Sequence, residues 1–288
     1  MTAKTISVAA WLQRSSQQLQ PIAGDSSRLE AELLLSRQIG VERSRLYLNP
    51  EQFLDQRHIS DLAEMIERRL TFEPIAYILG DQDFWGLTFK VSKDTLIPRP
   101  DSEALVEAVL DHTRAETTGH ILDLGSGTGC ILLAILCERP NLMGIGADCV
   151  QGAVDLAKGN ADQLGMTDRA TFIHSNWLDA VQVPAEGFDI IVSNPPYIDR
   201  AAAETLMPDV RKHEPLSALI GGADGLQAYR EILATIDGKI RPGGMLAFEI
   251  GFDQGISVPA LFDDLQWEAV SCIKDLSGND RVVTATAR

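Results

Sequence analysis

The apolar positions change their rhythm along the chain. Up to about residue 72 they recur every three or four places. Leu29, Leu33 and Leu34 form one such stripe, and Ile59, Leu62, Ile66 and Leu70 another with charges opposite. Both predict amphipathic helices packed on one another in a small bundle. Ser27-Arg28-Leu29-Glu30 has the form of a capping box, with Gly40 as the stop of the same helix. Around Phe84, Leu87, Phe89 and Val91 the period shortens to two with Gly86 between the halves, which predicts a hairpin. Pro98 and Pro100 then punctuate the chain before a helix predicted over 102–112.

After Gly119 the pattern becomes strand–helix alternation. Strands are predicted at 121–124, 142–147, 171–173, 188–193 and 245–250, followed by two terminal strands. Helices are predicted over 131–137, 153–164 and 226–240, with Pro242-Gly243-Gly244 as a turn. Such alternation implies an α/β fold: a doubly wound, mostly parallel sheet covered on both faces, with ligands at the carboxyl ends of the strands. The division expected is a helical domain over 1–74, a hairpin and linker over 75–100, and an α/β domain over 101–288.

Composition narrows the function. The 288 residues are 45% hydrophobic and 23% charged, which suits a folded chain with a sizeable core. Lys and Arg number 25 against 41 Asp and Glu, a net charge of −16. Residues 91–288 carry −14 of that, and an acidic body disfavours a stable nucleic-acid partner. No run approaches a membrane span, and the start Met1-Thr-Ala-Lys4 lacks a secretory core, so a cytoplasmic location is expected. Cys130, Cys137, Cys149 and Cys272 show no metal or disulfide spacing, so neither is expected.

Two loops carry chemistry. Asp123-Leu-Gly125-Ser126-Gly127-Thr128-Gly129 falls where the first buried strand gives way to a helix. Glycines there tolerate positive φ and let a ligand approach the main chain. The spacing is Gly-x-Gly-x-Gly, because Cys130 stands where a dinucleotide fingerprint needs a small residue. Asp148 closes the next strand, 23 residues after Gly125, where a carboxylate can accept both ribose hydroxyls. Trp177, after the third strand, can wall an adenine pocket or fill the core.

Asn194-Pro195-Pro196-Tyr197 follows the apolar strand Ile190-Ile191-Val192. The prolines fix φ and remove two backbone donors, so the loop offers carbonyls; Asn194 adds a side-chain oxygen. Together they can accept both hydrogens of a planar NH₂ group, with Tyr197 as a flat stacking face. An amide or exocyclic amine nitrogen is a poor nucleophile, and accepting both its N–H groups aims the lone pair for in-line transfer.

The glycine loop resembles the first motif of class I S-adenosylmethionine methyltransferases, and with Asn194–Tyr197 it is similar to enzymes that methylate planar NH₂ groups. Glu73-Pro74, Tyr77, Gly80, the run from Leu96 to Glu103, Glu214-Pro-Leu-Ser-Ala218, Gly221-Gly222, Glu249-Ile-Gly251 and Lys274–Arg281 resemble the peptide chain release factor glutamine methyltransferases (the HemK family). That resemblance covers nearly the whole chain. It implies a Rossmann-like methyltransferase sheet, S-adenosylmethionine as cofactor, and the glutamine of a Gly-Gly-Gln motif in bacterial class I release factors as substrate. The helices of 1–74 are implied to help dock that partner. Gly125, Ser126, Gly127, Thr128 and Gly129 would cradle the methionine and ribose, Asp148 would bind the ribose, and Trp177 would lie by the adenine. Asn194 would touch cofactor and substrate, with Pro195, Pro196 and Tyr197 completing the acceptor pocket. Adenine-N6 methylation of nucleic acid is the alternative that the tetrapeptide alone permits. Departures from the family pattern are Asn176 for a frequent Asp, Ser102 for a usual Thr, and His213, expected at the pocket edge, for an aromatic.

Overall fold

Burying the two apolar periods takes two different architectures, and the computed structural model, which describes residues 6–288, divides accordingly. One unit holds the described residues up to Gly80 together with Met207–His213; the other holds Asp81–Leu206 and Glu214–Arg288.

The first unit contains α1 (Val8–Ala23), α2 (Ser27–Ile39), α3 (Arg43–Leu46), α4 (Gln56–Leu70) and α5 (Ile75–Leu79). Leu12 and Leu19 of α1, Leu34 and Leu35 of α2, and Leu62 and Ile66 of α4 share one apolar cluster. This is the mutual packing that a 3.6-residue stripe requires. Leu29 and Leu70, at the margins of the predicted stripes, stay exposed. The expected capping box does not form: no side chain caps the start of α2. Ser26 is the N-cap residue, its hydroxyl 3.4 Å from the Glu30 carboxylate, whereas Ser27 begins the helix beside Ser16. Glu30 is also claimed by buried Arg69, whose Nε donates to it at 2.8 Å and links α2 to α4. Gly40 ends α2 in the left-handed conformation, as its position predicts.

The second unit opens with the hairpin β1 (Asp81–Phe84) and β2 (Leu87–Lys90). Trp85 and Gly86 both take positive φ at its turn, the geometry that matches strand twist. Then follow α6 (Glu103–His112), β3 (Gly119–Leu124), α7 (Cys130–Glu138), β4 (Leu142–Asp148), α8 (Gln151–Gln163), β5 (Ala170–His174) and β6 (Phe188–Ser193). After α9 (Pro208–His213), which belongs to the first unit, come α10 (Gln227–Thr235), β7 (Ile240–Glu249), β8 (Trp267–Lys274) and β9 (Asp280–Ala287). The seven strands lie in the order β5-β4-β3-β6-β7-β9-β8. The first five are parallel, and β9 runs antiparallel to both neighbours. Leu105, Leu132, Ile135 and Phe172 fill one face, and Tyr229, Ile232, Leu246 and Phe248 the other.

Two local expectations change. The helix predicted to 240 stops at Thr235, and Pro242-Gly243-Gly244 is no turn before the strand. β7 runs straight through it, and the extra residues are absorbed as a register shift opposite Phe188–Ile190. Among the described residues no helix is long and apolar enough to cross a membrane.

Candidate active site

The strand order places the two chemical loops side by side. From β3 the chain runs outward through β4 and β5, then returns to β6 on the other flank of β3. Parallel open sheets bind ligands at such a reversal, outside the carboxyl ends of the strands. Leu124 at the end of β3 is in register with Ser193 at the end of β6, and the Ser193 hydroxyl donates to the Leu124 carbonyl at 2.6 Å. The next residues are Gly125 on one strand and Asn194 on the other.

The donor-side loop is shaped by backbone. Gly125, Gly127 and Gly129 have φ of +73°, +52° and +78°. A Cβ on Gly129 would lie 2.8 Å from the Phe172 ring, so both conformation and space demand glycine there. The Gly127 N–H donates to Asp148 Oδ2, and the Val150 N–H to Asp148 Oδ1, each at 2.9 Å. A carboxylate has about four lone-pair sites, so both oxygens keep room for a hydroxyl donor. Burial pushes the Asp148 carboxyl upward, opposed by the Val150 and Gly127 N–H groups. The Ser126 hydroxyl, on the same wall, is buried without a partner. An orphan polar group beside a glycine cradle is what a polar ligand completes.

A cleft opens over this loop. Gly125, Ser126, Gly127, Thr128 and Asp148 line it, as do Trp177, Asn194 and Pro196. Gly129, Pro195 and Tyr197 are not on its wall. Gly129 is the N-cap of α7. Trp177 takes positive φ, and its Nε1 donates to Glu231 at 2.8 Å. The ring also packs against the apolar cluster on that sheet face, so it serves as both wall and core. Asn176 lines the cleft and donates to Asp179. His213, expected at the pocket edge, belongs instead to the first unit, its Nε2 3.3 Å from the Thr71 carbonyl.

The acceptor-side loop is held by side chains. Asn194 Nδ2 donates to Ser102 Oγ at 3.1 Å, which leaves Asn194 Oδ1 turned away from Ser102. Gln254 Nε2 donates to the Tyr197 carbonyl and to the Gly225 carbonyl, each at 3.2 Å. The Ile198 N–H donates to the Leu219 carbonyl, and the Gly221 N–H to the Ile198 carbonyl, adding a bridge beyond the sheet. Tyr197 packs on the same apolar cluster as Trp177. Burial, then the Glu249 carboxylate, pushes the Tyr197 phenol well above its ordinary value, so it keeps its proton.

Three features of the site were given no role by the sequence reading. The segment Asp94–Arg99, expected only as linker, forms a wall of the cleft. Glu214, almost fully buried, pins it: Oε2 accepts from the Ile97 N–H at 3.1 Å, and Oε1 from the Arg99 guanidinium. Pro98 and Pro100 were the local signal, since prolines around a charged residue stiffen a segment whose shape is used. The second feature is Asp123, near the end of β3, buried with no side-chain partner for either carboxylate oxygen among the described residues and with the Leu132 N–H favouring its charge. Burial, then neighbouring Asp148, pushes it up to about 7. The third is Glu249 at the end of β7, likewise buried and pushed up to about 7.

The chain is similar to known proteins along nearly all its length. Residues 10–80 match the model of the PrmC N-terminal domain, and residues 100–210 that of the methyltransferase small domain. The release factor glutamine methyltransferase of Caulobacter vibrioides is 40% identical over 96% of this chain and 94% of its own. That of Agrobacterium fabrum is also 40% identical, over 96% of each chain. Among solved structures, a methyltransferase from Pyrococcus furiosus superposes with a TM-score of 0.50 at 15% identity, over 70% of this chain and 89% of its own, a likeness of fold. With relatives this similar aligned from end to end, the chain belongs to the release factor glutamine methyltransferase family.

Proposed function

We propose that this chain transfers a methyl group from S-adenosylmethionine to the side-chain amide nitrogen of the glutamine in the Gly-Gly-Gln motif of bacterial class I release factors, in the cytoplasm. The observation that carries this reading is the adjacency of Gly125 and Asn194 at the ends of paired strands, with one cleft lined by both.

The cofactor fits the residues present: a glycine cradle, an unpartnered Ser126 hydroxyl and a carboxylate with lone pairs to spare. Gly125, Ser126, Gly127 and Thr128 hold its methionine and ribose, with Gly129 setting the turn; Asp148 accepts from the ribose hydroxyls and Trp177 walls the adenine. Bound S-adenosylmethionine supplies a sulfonium-activated methyl group.

The remaining work belongs to the acceptor loop. Asn194 Oδ1 and the Pro195 carbonyl accept the two N–H bonds of the glutamine amide. That grip draws the nitrogen out of conjugation and aims its lone pair at the donor side of the cleft. As the nitrogen–carbon bond forms the sulfur–carbon bond breaks, and the excess proton leaves the nitrogen for solvent afterwards; no strong base is needed before attack, and Tyr197, holding its own proton, offers none. Pro196 and Tyr197 shape the pocket. Residues 101–288 carry this chemistry together with the Asp94–Arg99 wall at the end of the 75–100 hairpin and linker, and the helices of 1–74 dock the release factor.

The test is transfer of methyl label from the cofactor to purified release factor, with duplex DNA in parallel. Label in the protein and none in DNA is expected. Label in DNA alone contradicts the reading.

A further inference from the structure

Asn194 can act as an acceptor only if its carboxamide faces the cleft oxygen first. An amide is nearly symmetric in shape, so packing does not choose between its two orientations; hydrogen-bond polarity does. The partner of Asn194 is the Ser102 hydroxyl, which can donate or accept. The Ser102 hydroxyl also interacts with the carboxyl of Glu249.

Glu249 is fully buried, and its Oε2 has no hydrogen-bond partner among the described residues. It lies at the end of β7, next to the strand that carries Asn194. Several elements face it. The Ser102 hydroxyl does most to favour its charge, followed by the Arg281 guanidinium of β9; Asp101 opposes it, and the Tyr197 hydroxyl favours it. Tyr229 of α10 and Cys130 of α7 also feel its charge. Tyr229 is engaged elsewhere, its hydroxyl donating to the Glu249 main-chain carbonyl at 2.9 Å. Arg281 is held by Asp275 and Asp101 at 3.1 and 3.2 Å.

We propose that Glu249 is a positioning residue that sets, through the Ser102 hydroxyl, the direction in which Asn194 presents its amide. Ionised Glu249 is acceptor-only, so the Ser102 hydrogen points to it. Ser102 Oγ then has only lone pairs left for Asn194, which must donate with Nδ2. Oδ1 therefore faces the substrate amide. Protonated Glu249 can donate instead, which releases the Ser102 hydrogen to Asn194 and turns Nδ2 toward the substrate. A donor would then oppose a donor, and the amide nitrogen would not be gripped.

This inference rests on the assignment of Asn194 to the acceptor site. Its test is the pH dependence of kcat on full-length release factor, with cofactor Kd measured alongside. Wild-type kcat should rise with pH through about 7 and then level off. Glu249→Gln should lower kcat at pH 8 about tenfold and remove that rise. Ser102→Ala should lower kcat about tenfold with KM and cofactor Kd within about twofold, and Ser102→Thr should recover most of the loss. The double variant Ser102→Ala/Glu249→Gln should be no worse than Ser102→Ala alone, because both act on one chain of hydrogen bonds. A pH rise that survives in Glu249→Gln, or losses that multiply in the double variant, overturns the inference. If Glu249→Gln does not fold, the Ser102→Ala and Ser102→Thr pair still decides: loss mainly in KM, or no recovery by Thr, overturns it. Near-normal turnover by Asn194→Ala would instead remove the underlying acceptor-site assignment.

Discussion

The two walls of the cleft are built by different means. On the donor side, Gly125, Gly127 and Gly129 bend the main chain, and Asp148 is locked by N–H groups of the loop and its own turn. The glycines and the ribose carboxylate all lie between residues 123 and 150. On the acceptor side, four loop residues depend on Ser102, Gln254 and Glu249 and on the segment 219–225, all far away in sequence. A nucleoside cofactor is recognised by shape and by hydroxyls, which rigid backbone supplies. A carboxamide must be gripped with the right polarity, which requires side chains whose own hydrogens are directed. Damage to the first wall should therefore appear in binding, and damage to the second in turnover.

The largest expected effect tests the second wall. Asn194→Ala should lower the single-turnover rate roughly 10²–10³-fold, the usual loss for one transition-state hydrogen-bond group. Cofactor Kd should stay within a few fold by calorimetry. A loss confined to cofactor affinity would erase the distinction between the walls.

The next effect concerns charge behind the glycine loop. Asp123 is pushed up to about 7 by burial and by Asp148, against about 3.9 for an aspartate in an unfolded chain. Between those values the folded state holds a proton that the unfolded state has released, so stability falls as pH rises through that window. Asp123→Asn removes this term. Its unfolding free energy relative to wild type should improve by about 2–3 kcal/mol on going from pH 5 to pH 8 without cofactor. Urea titrations of both proteins at both pH values measure it; equal differences at the two pH values would show that Asp123 titrates normally.

Asp148→Ala should weaken cofactor binding about 10–100-fold, the scale of hydrogen bonds to a charged group. Its kcat at saturating cofactor should change little. The smallest effect is expected for Gln254→Ala, which frees the carbonyls of Tyr197 and Gly225. A drop in kcat of about tenfold with unchanged cofactor Kd would place it with Asn194; a change in Kd alone would not.

The same contrast explains what was legible in the sequence. The parallel sheet and its helices follow from local periodicity, and the terminal strands were visible even though their antiparallel pairing was not. The glycine loop and Asp148 were readable because spacing along the chain is nearly spacing in space there. Ser102, Glu214 and Glu249 were visible as motif letters without a role, because their partners lie about 90, 115 and 150 positions away. Long-range hydrogen-bond direction leaves no periodic trace. The capping box did not form because tertiary contacts took both of its side chains, Ser27 by Ser16 and Glu30 by Arg69. His213 was read as pocket edge from its neighbours Glu214-Pro215, yet α9 packs with the helical unit while Glu214 packs with the sheet.

The central claim is that the Asn194 loop grips a glutamine carboxamide beside the methyl donor. Mass spectrometry of release factor co-expressed with the wild-type chain or with Asn194→Ala tests it most directly. A single added methyl on the Gly-Gly-Gln glutamine, present with wild type and absent with the variant, is the predicted result. An unmodified glutamine with the wild-type chain, or a methyl on that glutamine that persists in the variant, would contradict it.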